Sequence, residues 1–278
     1  MPERRTGLGG ALGTVLVMLA TGASAMTISA PSITDTSTFT LAGSSSDRAA
    51  VKGSQVVSSS SAAFVTRFYT TGVADKDSGG GTASAATNVS YTISFSVTHA
   101  SGVPYQVDVS TSILGALDAK DDSSDTGVSS ASVSNVTGSK TGGGTLTGSL
   151  GLASSTSIGG TSSTLDSPVS KSASASIFAV GTGAAQAYTL TFSFVASASS
   201  TTSGSNKGDE EAYRFGLATA TGSTLSSRAA DDYAGVVSRT GTLDGHTVTV
   251  TATPEPASFA LLGLGLAGLT RFGRRRAA

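Results

Sequence analysis

The chain has 278 residues, 17 Lys+Arg against 18 Asp+Glu, no Cys, no Trp and only 6% aromatics. The lack of cysteine excludes thiol catalysis, disulfide staples and Cys-based zinc sites, and no stretch gathers Lys and Arg with aromatics as a nucleic-acid footprint does. The N-terminal segment holds Glu3, Arg4 and Arg5 and the C-terminal segment Arg271, Arg274, Arg275 and Arg276; removing these six basic residues and one acidic residue leaves 11 basic and 17 acidic, a body of about −6 that disfavours nucleic acid and anionic membrane surfaces.

Arg4 and Arg5 form a positive n-region, Leu8 to Ala20 an apolar h-region, and Ala23-Ser24-Ala25 a small-residue cleavage site. This order predicts a signal peptide over residues 1–25, in a helical form, cut by signal peptidase to leave Met26 as the mature N-terminus.

From Met26 onward Ser, Thr, Gly, Ala and Val dominate, and β-branched residues outnumber helix formers, so strands are favoured. Ser37 to Leu41 places Phe39 and Leu41 on one face, and Ala63 to Thr70 reads as a second strand. The clearest alternation runs from Asn88 to His99, where Val89, Tyr91, Ile93, Phe95 and Val97 interleave with small polar residues. Tyr105 to Val109 repeats it, and Ser101-Gly102-Val103-Pro104 reads as the hairpin turn between the two.

Asp118 to Asp125 is an acidic loop whose Asp118, Asp121, Asp122 and Asp125 are candidate Ca²⁺ ligands, with a solvated turn as the plainer alternative. Asp75 to Gly79 opens like a calcium loop, but Ala86 stands at the twelfth position where an acid belongs. Val128 to Leu152 alternates weakly around Gly142-Gly143-Gly144, a second expected hairpin, and Ser154 to Ser167 reads as a surface loop. Ser172 to Val180, Ala187 to Val195, Glu211 to Ala220 and His246 to Thr251 are further strands, with Ser197 to Gly208 as a low-complexity loop. Asn88-Val89-Ser90 and Asn135-Val136-Thr137 fit the N-glycan acceptor pattern.

About ten strands without an amphipathic helix predict an all-β fold, a single antiparallel β-sandwich of jelly-roll-like type spanning 26–252. His99 and His246 are the only histidines and sit beside turns, so both are expected as exposed strand-end residues. No Gly-x-Ser-x-Gly elbow is present, no catalytic residue is assigned and no enzyme activity is expected.

Residues 253–278 are different. Pro254-Glu255-Pro256 leads into an apolar run, Ala257 to Thr270, followed by Arg271, Arg274, Arg275 and Arg276. As a helix the run covers about 21 Å, short of the about 30 Å hydrocarbon core, and Gly263, Gly265 and Gly268 loosen it. The arginines act as a membrane stop that keeps the C-terminus cytoplasmic and the body outside.

This tail resembles the PEP-CTERM sorting signal of Gram-negative, exopolysaccharide-producing bacteria. Pro254, Glu255 and Pro256 fall on its signature tripeptide and Arg274 to Arg276 on its basic end, so the match covers about a tenth of the chain. The resemblance implies an exosortase, a membrane-embedded cysteine transpeptidase-like enzyme, as processing partner. It implies an exported protein, briefly anchored by its C-terminal segment and then delivered to the cell surface or matrix. The body is expected to act as a structural or interaction component of the exopolysaccharide or biofilm layer, without a cofactor. A carbohydrate- or calcium-dependent adhesin-like module and a surface hydrolase are the alternatives.

Overall fold

The computed structural model describes residues 26–43, 48–74, 81–119, 128–153, 156–160, 165–202, 211–215 and 245–254. Among the described residues every regular element is a β-strand and every pairing is antiparallel. In the first sheet β1 (Thr27–Ile28), β2 (Ser32–Asp35) and β3 (Thr38–Gly43) lie end to end along β6 (Gly81–Thr98). β6 pairs over its whole length with β13 (Ala185–Thr202), β8 (Val128–Val133) and β9 (Thr137–Gly142) lie end to end along β13, and β11 (Thr156–Gly160) closes that side on β8.

The second sheet runs from β4 (Arg48–Ser59) to β5 (Ala63–Ala74), then to a row shared by β14 (Glu211–Phe215) and β15 (Gly245–Pro254). Beyond that row lie β7 (Pro104–Ala119), β12 (Leu165–Val180) and β10 (Thr145–Gly148). The chain threads these strands as nested pairs: β6 with β13, β7 with β12 and β8 with β11. Successive pairs fall in alternate sheets, so the hairpin is rolled over itself in the jelly-roll manner. At 18 residues each, β6 and β13 are long strands, roughly 60 Å from end to end.

Period-2 alternation decides what lies between the layers. Val89, Tyr91, Ile93 and Phe95 of β6 and Tyr188, Leu190, Phe192 and Phe194 of β13 point inward from the first sheet. Phe64 and Phe68 of β5, Val107, Val109 and Ile113 of β7 and Val248 and Val250 of β15 meet them from the second. Phe68 stacks on Tyr91 with ring centres 4.8 Å apart, and Phe64 meets Phe95 edge-on at 5.1 Å. Burial of rings like these is the largest favourable contribution in a core without Trp. At one flank Lys52 Nζ of β4 reaches Asp35 Oδ2 of β2 at 3.0 Å and ties the layers together.

Several expectations change. The turn at Ser101–Pro104 is not a hairpin, because β6 and β7 belong to different sheets; it is a corner that carries the chain across the sandwich. The segment at Gly142–Gly144 is a corner too, joining β9 of the first sheet to β10 of the second. Alternation marks the faces of a strand but not the sheet it joins, so a corner and a hairpin read alike. The expected loop at Ser154–Ser167 contains β11 and the start of β12, and that at Ser197–Gly208 contains the last residues of β13. Among the described residues fifteen strands replace about ten, because rows are split end to end and because β4 and β11 add outer strands. The expected signal helix and C-terminal hydrophobic helix lie outside the described residues.

Candidate functional site

β15 brings the tail out of the core. His246, Val248, Val250 and Ala252 are buried on its inner side, while β7 flanks it along Gly245–Pro254 and β5 along His246–Thr251. Pro254 is the last residue of the strand, opposite Tyr105. Proline lacks the N–H that continued pairing would need, which suits it to a strand end. The first residue of the Pro-Glu-Pro tripeptide is therefore part of the fold. Glu255, Pro256, Arg271, Arg274, Arg275 and Arg276 lie outside the described residues, as do Ala23 and Ala25 of the signal-peptide site. Among the described residues no helix is long and apolar enough to cross a membrane.

Asp118 stands in β7, with Asp166 and Ala212 as its backbone neighbours, and so is a strand residue and not part of a loop. Asp121, Asp122 and Asp125 lie outside the described residues. Among the described residues no group of three or more His, Asp or Glu side chains is placed to hold a metal.

The two histidines are buried, against the expectation of exposed strand ends: His99 is 6% and His246 0% accessible. The reason is strand phase. His99 continues the inward series Phe95, Val97 of β6, and His246 begins the inward series of β15. Nδ1 of His246 hydrogen-bonds with the Tyr91 hydroxyl, and its ring meets Phe192 edge-on at 4.9 Å and Phe194 at 6.0 Å. Burial in this aromatic setting pushes its pKa down to about 3 and raises that of Tyr91 well above its usual value. His99 lies edge-on to Tyr105 at 5.7 Å. Among the described residues no Ser or Thr hydroxyl hydrogen-bonds to either ring, so the nucleophile–base contact of a hydrolase is not formed there.

A second feature emerges only from the assembled sheet. Outward positions of β6 from Ser84 to Thr98 and of β13 from Ala187 to Ser199 carry only Ser, Thr, Ala, Asn and Val. Across the strands these align in hydroxyl rows, such as Thr34, Thr92, Thr191 and Ser139. Where β2 gives way to β3, Ser37 Oγ accepts the N–H of Ser90 at 2.9 Å; where β8 gives way to β9, Ser134 Oγ accepts the N–H of Val195 at 2.8 Å. The two breaks face each other across β6 and β13, because Ser90 pairs with Ser193 and Asn88 with Val195. Between them lies an open groove of about 440 Å³. Asn88 and Asn135, the asparagines of the two Asn-x-Ser/Thr sequences, line it. Alternation predicted the outward face of each strand; the register that aligns the breaks had no sequence signal.

Against known proteins, no curated protein matches the chain. The family model described as the PEP-CTERM protein-sorting motif matches residues 252–276, which overlaps the end of β15 and takes in the Pro-Glu-Pro tripeptide, the apolar run and the arginines. The chain thus carries a PEP-CTERM sorting motif, the mark of an exported surface protein processed by an exosortase-type enzyme.

Proposed function

We propose that the chain is a non-enzymatic structural or interaction protein of the extracellular matrix of a Gram-negative bacterium, delivered there by its C-terminal signal. Signal peptidase releases residues 26 onward outside the inner membrane. The apolar run then holds the chain in the membrane, with its arginines on the cytoplasmic side, until the processing enzyme cuts near Pro254-Glu255-Pro256. The observation that carries this reading is the sorting motif at residues 252–276, joined without a spacer to the central strand β15. Cutting beyond Pro254 leaves every described strand intact, and so does a mature N-terminus at Met26, one residue before β1.

The test is mass spectrometry of both termini in cells with and without the processing enzyme. The expected mature chain starts at Met26 and lacks Leu261 to Arg276 only when the enzyme is present. Full-length chains recovered from the outer layers with Leu261 to Arg276 attached would refute it. Calcium has no part in this reading; a rise in melting temperature on adding Ca²⁺ would bring the Asp118–Asp125 segment into it.

A further inference from the structure

We propose that the groove across the outer face of the first sheet binds one strand of a neutral polysaccharide. This deepens the matrix reading and rests on it only for the source of the ligand. The floor is Asn88 and Ser90 of β6 with Ser193 and Val195 of β13, and the breaks at Thr36–Thr38 and Ser134–Thr137 stand at either side. A groove of about 440 Å³ lies within the ordinary range of small-ligand sites, ~300–1,000 Å³. It crosses four strand rows, about 14 Å at the usual spacing, and has room for a few sugar rings.

Its chemistry selects the ligand class. None of the residues lining the groove is charged, and the body carries a net negative charge. An anionic polymer would surrender hydration of its carboxylates there without meeting a counter-charge. A neutral glycan presents hydroxyls that donate and accept, matching the Ser and Asn groups of the floor and the Thr groups at its sides, and C–H edges that suit Val195, which is 39% exposed. Asn88 lines the groove and brings a side-chain amide that can both donate and accept.

The groove is also pre-organised. Thr36 Oγ1 donates to Ser90 O at 3.0 Å, and the Thr137 and Ser193 hydroxyls are 2.7 Å apart. Together with the Ser37 and Ser134 bonds these tie both sides to the central strands, so little ordering remains to be done on binding. Each hydroxyl exchange contributes only about 1 kcal/mol net. Useful affinity thus needs several rings at once and many copies on one surface, which favours a polymer over a monosaccharide.

The experiment is native gel electrophoresis of the full-length protein in mild detergent, through gels containing hydroxyethylcellulose or carboxymethylcellulose, which share a backbone but differ in charge. The variants are Asn88→Ala with Asn135→Ala, Val195→Glu, and Ser172→Ala on the second sheet as control, each checked by far-UV circular dichroism and melting temperature. Hydroxyethylcellulose is expected to retard the wild type and the control, and the paired Asn variant about tenfold more weakly, the loss of one or two hydrogen bonds. Equal retardation of that variant, retardation by carboxymethylcellulose alone, or none at all overturns the proposal. A dimer that Val195→Glu splits would assign the face to a second copy and overturn it as well. If the wild type partitions with the cell matrix but ignores hydroxyethylcellulose, the groove assignment fails alone; if it binds in the gel but is absent from the matrix, the function reading fails alone.

Discussion

The hydroxyl of Tyr91, on β6 of the first sheet, hydrogen-bonds with Nδ1 of His246, on β15 of the second. Both side chains are fully buried, so this polar bond crosses from one layer to the other inside an aromatic cluster, as Thr70–Thr87 and Tyr105–Tyr188 do elsewhere in the core. Nε2 of the same ring has no hydrogen-bond partner among the described residues.

That arrangement makes stability depend on acid. His246 is neutral in the folded chain down to about pH 3, whereas an unfolded histidine titrates near 6.5. Between those values the unfolded chain binds one proton more, so its contribution is complete above about pH 6.5 and lost as pH falls toward 3. The shift sets an upper bound of roughly 5 kcal/mol on this loss. Urea unfolding from pH 7 to 4 is expected to show a falling midpoint, and the double variant Tyr91→Phe, His246→Leu a much flatter one. Equal slopes for the two would remove His246 as the cause.

Tyr91→Phe alone strands Nδ1 in an apolar site and is expected to cost about 1–3 kcal/mol. For a body of this size that lowers the melting temperature by about 2–4 °C per kcal/mol. Adding His246→Leu is expected to recover most of the loss, since removing both polar partners is far cheaper than removing one. Additive losses in the double variant would contradict the bond.

The breaks between β2 and β3 and between β8 and β9 depend on serine. Ser134→Ala removes the acceptor of the Val195 N–H and is expected to cost about 1–2 kcal/mol. Ser134→Thr keeps the oxygen and is expected to cost less. Hydrogen exchange at the Val195 amide should quicken in the first variant; unchanged protection there would show that the hydroxyl is dispensable.

Beyond the end of β6 and ahead of β13, two corners are bound to each other. Gly102 N donates to Gly181 O and Gly181 N to Val103 O, both at 2.8 Å. A Cβ on Gly181 would lie 2.1 Å from the carbonyl oxygen of Ala100, so the backbone must shift to admit it. Gly181→Ala is expected to destabilise by about 2 kcal/mol or more, read as a lower midpoint in urea, whereas Gly143→Ala, with open space around it, is expected to change the midpoint little.

Much of the fold was legible because hydrophobic alternation is strong where aromatics mark it. Tyr188 to Phe194 and Val89 to Val97 read directly as half-buried strands, and both are. The phase that buries His99 and His246 was present in the same alternation; their position beside turns outweighed it. Ser/Thr/Ala strands such as β11 and the end of β13 carry little hydrophobic contrast, so they resembled loops until their partners supplied the ladder. Asp118 was read with its acidic neighbours, whereas its backbone continues the pairing of β7. The sorting tail depended on no partner strand, because its signal is a linear order of tripeptide, apolar run and basic end. The groove depends on two chain breaks brought level by register, and register is a tertiary property.

One consequence of the placement of β15 concerns force. Any pull applied through the tail acts along the axis of this strand, which is held on one side by β7 over Gly245–Pro254 and on the other by β5 over His246–Thr251. Those bonds lie across the direction of tension and must give way together, where a peeled edge strand would lose them singly. A tether attached beyond Pro254 would thus load the body through a shear clamp at the middle of a sheet.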